Sequence, residues 1–286
     1  MASPTYNDVW TYAHTLQGVS QQARDAFLVA AAEVDFSDWA EAAEQLRQIA
    51  MAVTDAYGLA AGELGAQWYE YCRAMKYGSG YRAIVGTTSR YGIKSDCDTV
   101  IDKLFKGTIT EDALIGALAG VVVDHIQTRA RDVIEDNLDI EYKAARASGN
   151  DRFADEIGYA RVPNAGACAF CIMLASRGFV YRSEYTATTS KRTGDRYHEH
   201  CTCTAVPFHQ AGTIKGYGKK LAQYEDTYLD ARSMWKSGNM PDELKQRIDT
   251  ARAEHAQKVA DGQAWDKWSD DNEITIVMRW QNPGMH

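Results

Sequence analysis

The reactive side chains of this sequence crowd into one stretch, Gly158 to His209, which holds four of the six cysteines and three of the seven histidines. They form two knots, Cys168-x-x-Cys171 and His198-x-His200-Cys201-x-Cys203, separated by a polar loop. A Cys-x-x-Cys pair lets two thiolates converge on one ion from a tight turn. A second knot of His and Cys then supplies the remaining corners of a tetrahedron of borderline-soft ligands. That is the spacing of a structural zinc site, with more ligands on offer than a closed site needs. Cys168, Cys171 and Cys201 are the first choices. The fourth is either Cys203, two residues on in an irregular turn, or His198, three residues before Cys201; His200 ranks last. Four protein ligands leave no place for an activated water, so the expected role is structural. A disulfide, or a redox or hydrolytic Cys/His site, is the alternative chemistry.

Other catalytic patterns are missing. His198-Glu199-His200 is not the His-Glu-x-x-His of zinc proteases, whose histidines must stand four apart to share a helix face. The sequence has no Gly-x-Gly-x-x-Gly, no Walker loop and no Gly-x-Ser-x-Gly elbow. Ser176 and Ser183 lie near the histidines in sequence, but nothing orients a base toward either. Asp155 and Glu156 are adjacent and diverge on a helix surface.

The elements that must position the knots are helical on both sides. From Ser3 to about Asn150 the apolar spacing is that of helices: between Asp38 and Lys76, Leu46, Ile49, Val53, Tyr57, Ala61, Leu64, Trp68 and Cys72 recur every three or four residues. Asp38-x-x-Glu41 makes a capping box at its start, and Gly58, Gly62 and Gly65 either bend the helix or admit another backbone. Ser95-Asp96 opens a short helix, Thr108-x-x-Glu111 a long one, and Ile134 to Arg152 reads as a solvated, mixed-charge helix. His125 sits on the inward stripe of the long helix and receives no role; Cys72 and Cys97 read as ordinary buried small residues. Short strands are expected at Tyr159–Pro163, Phe179–Tyr181 and Thr204–Val206, with a two-turn helix from Cys171 to Gly178. The expected class is mainly α. A helical bundle over 1–152 leads to a zinc-stapled α+β module over 153–212, then to a helical C-terminal region over 213–286 with a candidate strand at Glu273 to Trp280.

A chain of 286 residues, 45% hydrophobic and 24% charged, can bury a core. Its net charge of -8 argues against a nucleic-acid footprint over the whole surface. The most basic segment is the loop carrying Arg182, Lys191, Arg192 and Arg196, and Glu184, Asp195 and Glu199 nearly cancel it. No basic-then-apolar leader and no bilayer-length apolar run is present, which points to synthesis in a reducing cytoplasm, where thiolates hold metal in preference to disulfides.

Three runs carry a family likeness: Tyr159-Ala-Arg-Val-Pro163; Cys168-x-Phe-Cys171-x-Met-Leu-Ala-Ser-Arg-Gly178-x-Val-Tyr181; and Tyr197-His-x-His-Cys201-x-Cys203-x-x-Val-Pro207. Together they resemble the MuF-like minor head proteins of tailed phages, in the branch found in actinobacterial phages. The resemblance covers about a fifth of the chain. It implies a minor capsid or head morphogenesis protein, associated with the portal or the major capsid protein, carried inside the virion and in some phages leaving with the DNA. It also implies zinc held by Cys168, Cys171, Cys201 and one of His198 or Cys203. In much of that family the second knot reads His-Pro-x-Cys-Arg-Cys; here Glu199 and Thr202 stand in place of the proline and arginine. Members are also often labelled capsid maturation protease. A DNA-packaging or ejection accessory working through Lys191, Arg192 and Arg196 is the third reading.

Overall fold

The computed structural model describes residues 2–86, 92–106, 110–163, 168–176, 203–209, 213–260 and 268–285. It is mainly helical, with one two-stranded sheet among the described residues. The chain forms two compact units: Trp10–Lys143, and Met1–Val9 together with Ala144–His286.

The unit Trp10–Lys143 is built from α1 (Tyr6–Ala31), α2 (Trp39–Tyr77), α3 (Ile93–Phe105) and α4 (Glu111–Ala147). Asp38 starts α2 by accepting from the N–H groups of Ala40 and Glu41, satisfying donors that the first turn leaves without partners. Gly78, at φ 87°, ends it in a conformation that costs a glycine little. Along α2 the buried positions Leu46, Ala50, Thr54, Gly58, Ala61, Gly65, Trp68 and Cys72 recur every three or four residues, while Ile49, Val53, Tyr57 and Leu64 of the expected stripe flank this face and are half-buried. Of the buried positions, Leu46, Ala50 and Ala61 share one core with Phe27 of α1, Cys97 and Ile101 of α3, and Leu114, Leu118, Val122, Ile126 and Ala130 of α4. Burial pushes the Cys97 thiol up to about 12, which makes it an inert core residue, as its surroundings in the sequence suggest.

Of the three α2 glycines, Gly65 admits a backbone. A Cβ placed on it would stand 2.3 Å from the Ala130 carbonyl oxygen of α4. At Gly62 the added carbon would meet Val85 at 3.1 Å, and at Gly58 only the Arg129 side chain at 3.9 Å.

The run from Ile134 onward is not the solvated helix its composition suggests. Glu135, Asn137, Leu138 and Glu141 are buried. Asn137 and Glu141 are satisfied by groups far away in sequence. Glu141 accepts from Tyr69 Oη at 2.5 Å and from Arg73 Nε at 2.9 Å. Asn137 accepts from the Ile84 N–H and donates to the Ile84 carbonyl at 2.8 and 2.9 Å, and Tyr81 Oη adds a bond to its Oδ1 at 3.0 Å. The side-chain amide thus pairs with the extended segment 81–86 as a neighbouring strand would.

The second unit carries α5 (Asp151–Glu156), β1 (Tyr159–Val162), α6 (Ala169–Ser176), β2 (Thr204–Pro207), α7 (Gly218–Ser237), α8 (Asp242–Ala260) and α9 (Asp270–Gln281). The segment Glu273–Trp280, expected as a terminal strand, is part of helix α9. Its β-branched residues suggest a strand, but Ile274, Val277 and Met278 bury one helical face, and Asn272 Oδ1 accepts from the Ser269 N–H at 3.0 Å to start the helix.

Gly65→Ala is expected to lower stability by about 1–3 kcal/mol, because the new methyl must push two backbones apart. Gly58→Ala is expected to leave stability unchanged or raise it by up to about 1 kcal/mol through helix propensity. Paired urea unfolding curves measure both.

Candidate functional site

The site begins with the pairing of β1 and β2. They run antiparallel with Tyr159 opposite Pro207, Ala160 opposite Val206, Arg161 opposite Ala205 and Val162 opposite Thr204. The two outer runs of the cysteine segment, one ending at Pro163 and one beginning at Cys203, are therefore joined side by side. All eight strand residues are buried. A lone two-stranded ribbon is marginal in water, so this one depends on what covers it. Past β2, Phe208 N–H donates to the Gly158 carbonyl at 2.8 Å, extending the ladder by one bond. Phe208 holds φ 63°, a conformation that a bulky side chain keeps only where packing enforces it, and it is 2% exposed.

Helix α6 follows β1 and packs on β1, α7 and α9. Ala169, Cys171, Ile172, Met173 and Ala175 are all buried, so this short helix is surrounded rather than laid on a surface. Cys168 precedes its first turn, accepting from the Ile172 N–H at 3.1 Å, and Cys171 lies three residues on. That spacing sets both thiols on one side of the helix start, where the helix dipole favours negative charge. Cys168 is half-buried; Cys171 and Cys203 are buried at 1% and 6% exposure.

Of the expected metal ligands, Cys168, Cys171 and Cys203 fall in this one unit, while Cys201, His198 and His200 lie outside the described residues. Among the described residues no three His, Cys, Asp or Glu side chains are gathered as a metal ion requires. The expected strand Phe179–Tyr181, the basic loop with Arg182, Lys191, Arg192 and Arg196, and Ser183 also lie outside the described residues. Ser176 Oγ donates to the Met173 carbonyl of its own helix at 2.8 Å. His125, given no role from sequence, is buried in the other unit and lies 2.7 Å from Asp96 through Nε2.

What sequence reasoning missed is the carboxylate that ties together the helices around α6. Glu273 of α9 accepts from Trp235 Nε1 of α7 at 2.8 Å, from Trp268 Nε1 at 2.8 Å and from Arg252 of α8 at 2.6 Å. Burial by itself would raise the Glu273 pKa. The hydrogen bonds from Arg252, Trp235 and Trp268, with the Arg252 charge, outweigh burial and hold it below the usual carboxylate range. The only hint in the sequence is four tryptophans after residue 234 beside an acidic helix start.

Long helices in one unit and a ribbon-and-helix module in the other define a mainly helical protein of two units. The chain belongs to the VG15 protein family, whose model matches residues 3–231. This is a family of phage virion genes, and the chain is accordingly a phage virion protein. No curated protein and no solved structure matches it. Among the described residues no helix is long and apolar enough to cross a membrane.

Because the Glu273 pKa is lowered on folding, its contribution to stability is full above the unfolded carboxylate pKa and is lost as pH falls through the folded value. Glu273→Gln is expected to cost about 1–3 kcal/mol at neutral pH, with the gap from wild type closing below about pH 4. Thermal unfolding of both proteins across pH 3 to 8 checks this.

Proposed function

We propose that this protein is a minor capsid, head morphogenesis component of a tailed phage, related to the MuF-like proteins and placed inside the head beside the portal. Its partners on this reading are the portal and the major capsid protein, with packaged DNA at most a weak contact. The work is structural, and the cysteine segment is a clasp that presents a rigid surface between helices.

The clasp is held by one zinc ion, with Cys168, Cys171 and Cys201 as ligands and either His198 or Cys203 as the fourth. The observation that carries this reading is the β1–β2 pairing, which draws the two ends of the cysteine segment together around α6. The donor set also fits: two thiols one helical turn apart, at the helix end that favours thiolates, suit a borderline-soft cation. When bound, zinc would supply a fixed tetrahedral crosslink and no open coordination place. It would add to the folding free energy of a small module whose ribbon is weak alone. Membership of a phage virion family supports the setting, and the residue runs around the two knots support the particular role.

Purified protein is expected to hold about one zinc per chain, and Cys171→Ser or Cys201→Ser to lose it along with the compact cysteine module. Elemental analysis together with protease mapping measures this, and metal-free protein with an intact module would remove the clasp. Co-expression with the portal protein is expected to recover a complex that withstands high salt. Failure to co-purify with portal or coat protein, or cleavage of coat protein that a single Ser or His substitution abolishes, would overturn the structural role.

A further inference from the structure

Helix α1 turns Ala23, Phe27 and Ala31 inward and leaves its opposite face open. On that face Trp10, His14, Gly18, Gln21, Asp25 and Val29 are all exposed. With about 3.6 residues per turn the six fall within an arc of about 100°, so they form one stripe down the helix. Its ends are large apolar side chains, Trp10 at 51% and Val29 at 73% exposure. Singly, such residues are ordinary on a surface. Here they frame a stretch with no charge, since α1 has no Asp, Glu, Lys or Arg from Val9 to Ala23. The solvent face of a helix normally carries charge, whereas interface cores are depleted of it and enriched in Trp.

The side chains of the stripe are ordered along their own helix. The Trp10 and His14 rings stack with centroids 4.9 Å apart and planes 9° apart, and Gln21 Nε2 donates to Asp25 Oδ1 at 2.7 Å. Between the two pairs lies Gly18, where an added Cβ would meet nothing within 4 Å among the described residues. The stripe is thus notched at its middle. Its spacing is four, four, three, four and four, the same read from either end.

We propose that this stripe is a self-association surface, on which two copies of the chain pair through antiparallel α1 helices about a two-fold axis between Gly18 and Gln21. A two-fold contact requires a self-complementary patch, and the symmetric spacing supplies one. It sets Trp10 against Val29, His14 against Asp25, and Gly18 against Gln21, each twice. The chemistry matches at every level: an indole meets an isopropyl group, an imidazole meets a carboxylate, and a long amide crosses the residue that has no side chain. Parallel pairing would instead set Asp25 against Asp25, a like-charge contact that disfavours it. Steps of three and four are those of helices that pack at a shallow angle. One helix from each copy makes a small interface, so the dimer is weak, with a Kd on the order of micromolar. The inference rests on neither zinc nor the portal.

The test is sedimentation velocity of the full-length chain from about 1 to 200 μM, with a thiol reductant present to exclude disulfide-linked dimers. Wild type is expected to pass from monomer to dimer as concentration rises. Trp10→Ala and Gly18→Lys are each expected to raise the Kd about tenfold or more. Gly18→Lys improves helix propensity at an exposed position, so circular dichroism and thermal unfolding should show a monomer at least as stable as wild type. His14→Asp is expected to weaken the dimer by setting carboxylates against each other, and adding Asp25→His to bring the Kd back to within about threefold of wild type. A wild-type chain that stays monomeric throughout would overturn the proposal, as would a dimer that Trp10→Ala and Gly18→Lys leave unchanged. Failure of the double variant to recover would overturn the antiparallel register.

Discussion

Two short strands, Tyr159–Val162 and Thr204–Pro207, pair across an intervening segment of the chain that carries the rest of the cysteine motif. Holding the ends of that segment together has an entropic cost that four residue pairs of a ribbon cannot meet alone, since an isolated two-stranded ribbon is marginal in water. The pairing persists because both faces of the ribbon are buried and because α6 packs on β1 while leaning on α7 and α9. Phe208 shows how tightly the end of the ribbon is held: its left-handed backbone is kept by burial of the ring and by the bond to Gly158. The zinc clasp proposed for the cysteine segment requires this pairing first.

The helices around α6 rest on a charge. Glu273 draws Trp235, Trp268 and Arg252 to one carboxylate at 2.6 to 2.8 Å. Indole N–H groups and a guanidinium satisfy it from separate elements, so each helix is placed relative to the others by direction as well as by apolar contact. In α8 only Leu244 and Ile248 are buried, and Arg247 over the Trp280 ring at 4.9 Å and His255 against the Trp268 ring at 5.4 Å add to its attachment. The other unit uses the same device, with Glu141 drawing on Tyr69 and Arg73 and Asn137 on the backbone of Ile84. Buried polar groups of this kind stabilise when every partner is present and cost free energy when one is missing.

Much was legible from residue order alone. The helical class, the three-and-four spacing of α2, the Asp38 start, the inert character of Cys97, the helix between the cysteine knots and the strands on either side of it all follow from local chemistry and period, whereas which of Gly58, Gly62 and Gly65 admits a backbone does not. A phage virion setting was readable from the Tyr159–Pro163, Cys168–Tyr181 and Tyr197–Pro207 runs, and the family match over residues 3–231 agrees with it at that level. These features depend on neighbours within a turn or two of helix, or on residue types whose conformational demands are their own.

What tertiary structure alone decided are the contacts made at long range. Asn137 and Glu141 look like a solvated face because composition cannot say that Tyr69, Arg73 and Ile84 will meet them. Glu273–Trp280 has the residues of a strand and becomes a helix because Ile274, Val277 and Met278 find one apolar wall. The Ser3–Thr213 hydrogen bond, the Tyr6–Tyr217 stack and the Glu273 clamp join residues separated by up to about two hundred positions, and no period or motif marks them. The sequence determines what each segment prefers; which polar groups end up buried depends on partners that only the folded chain brings within bonding distance.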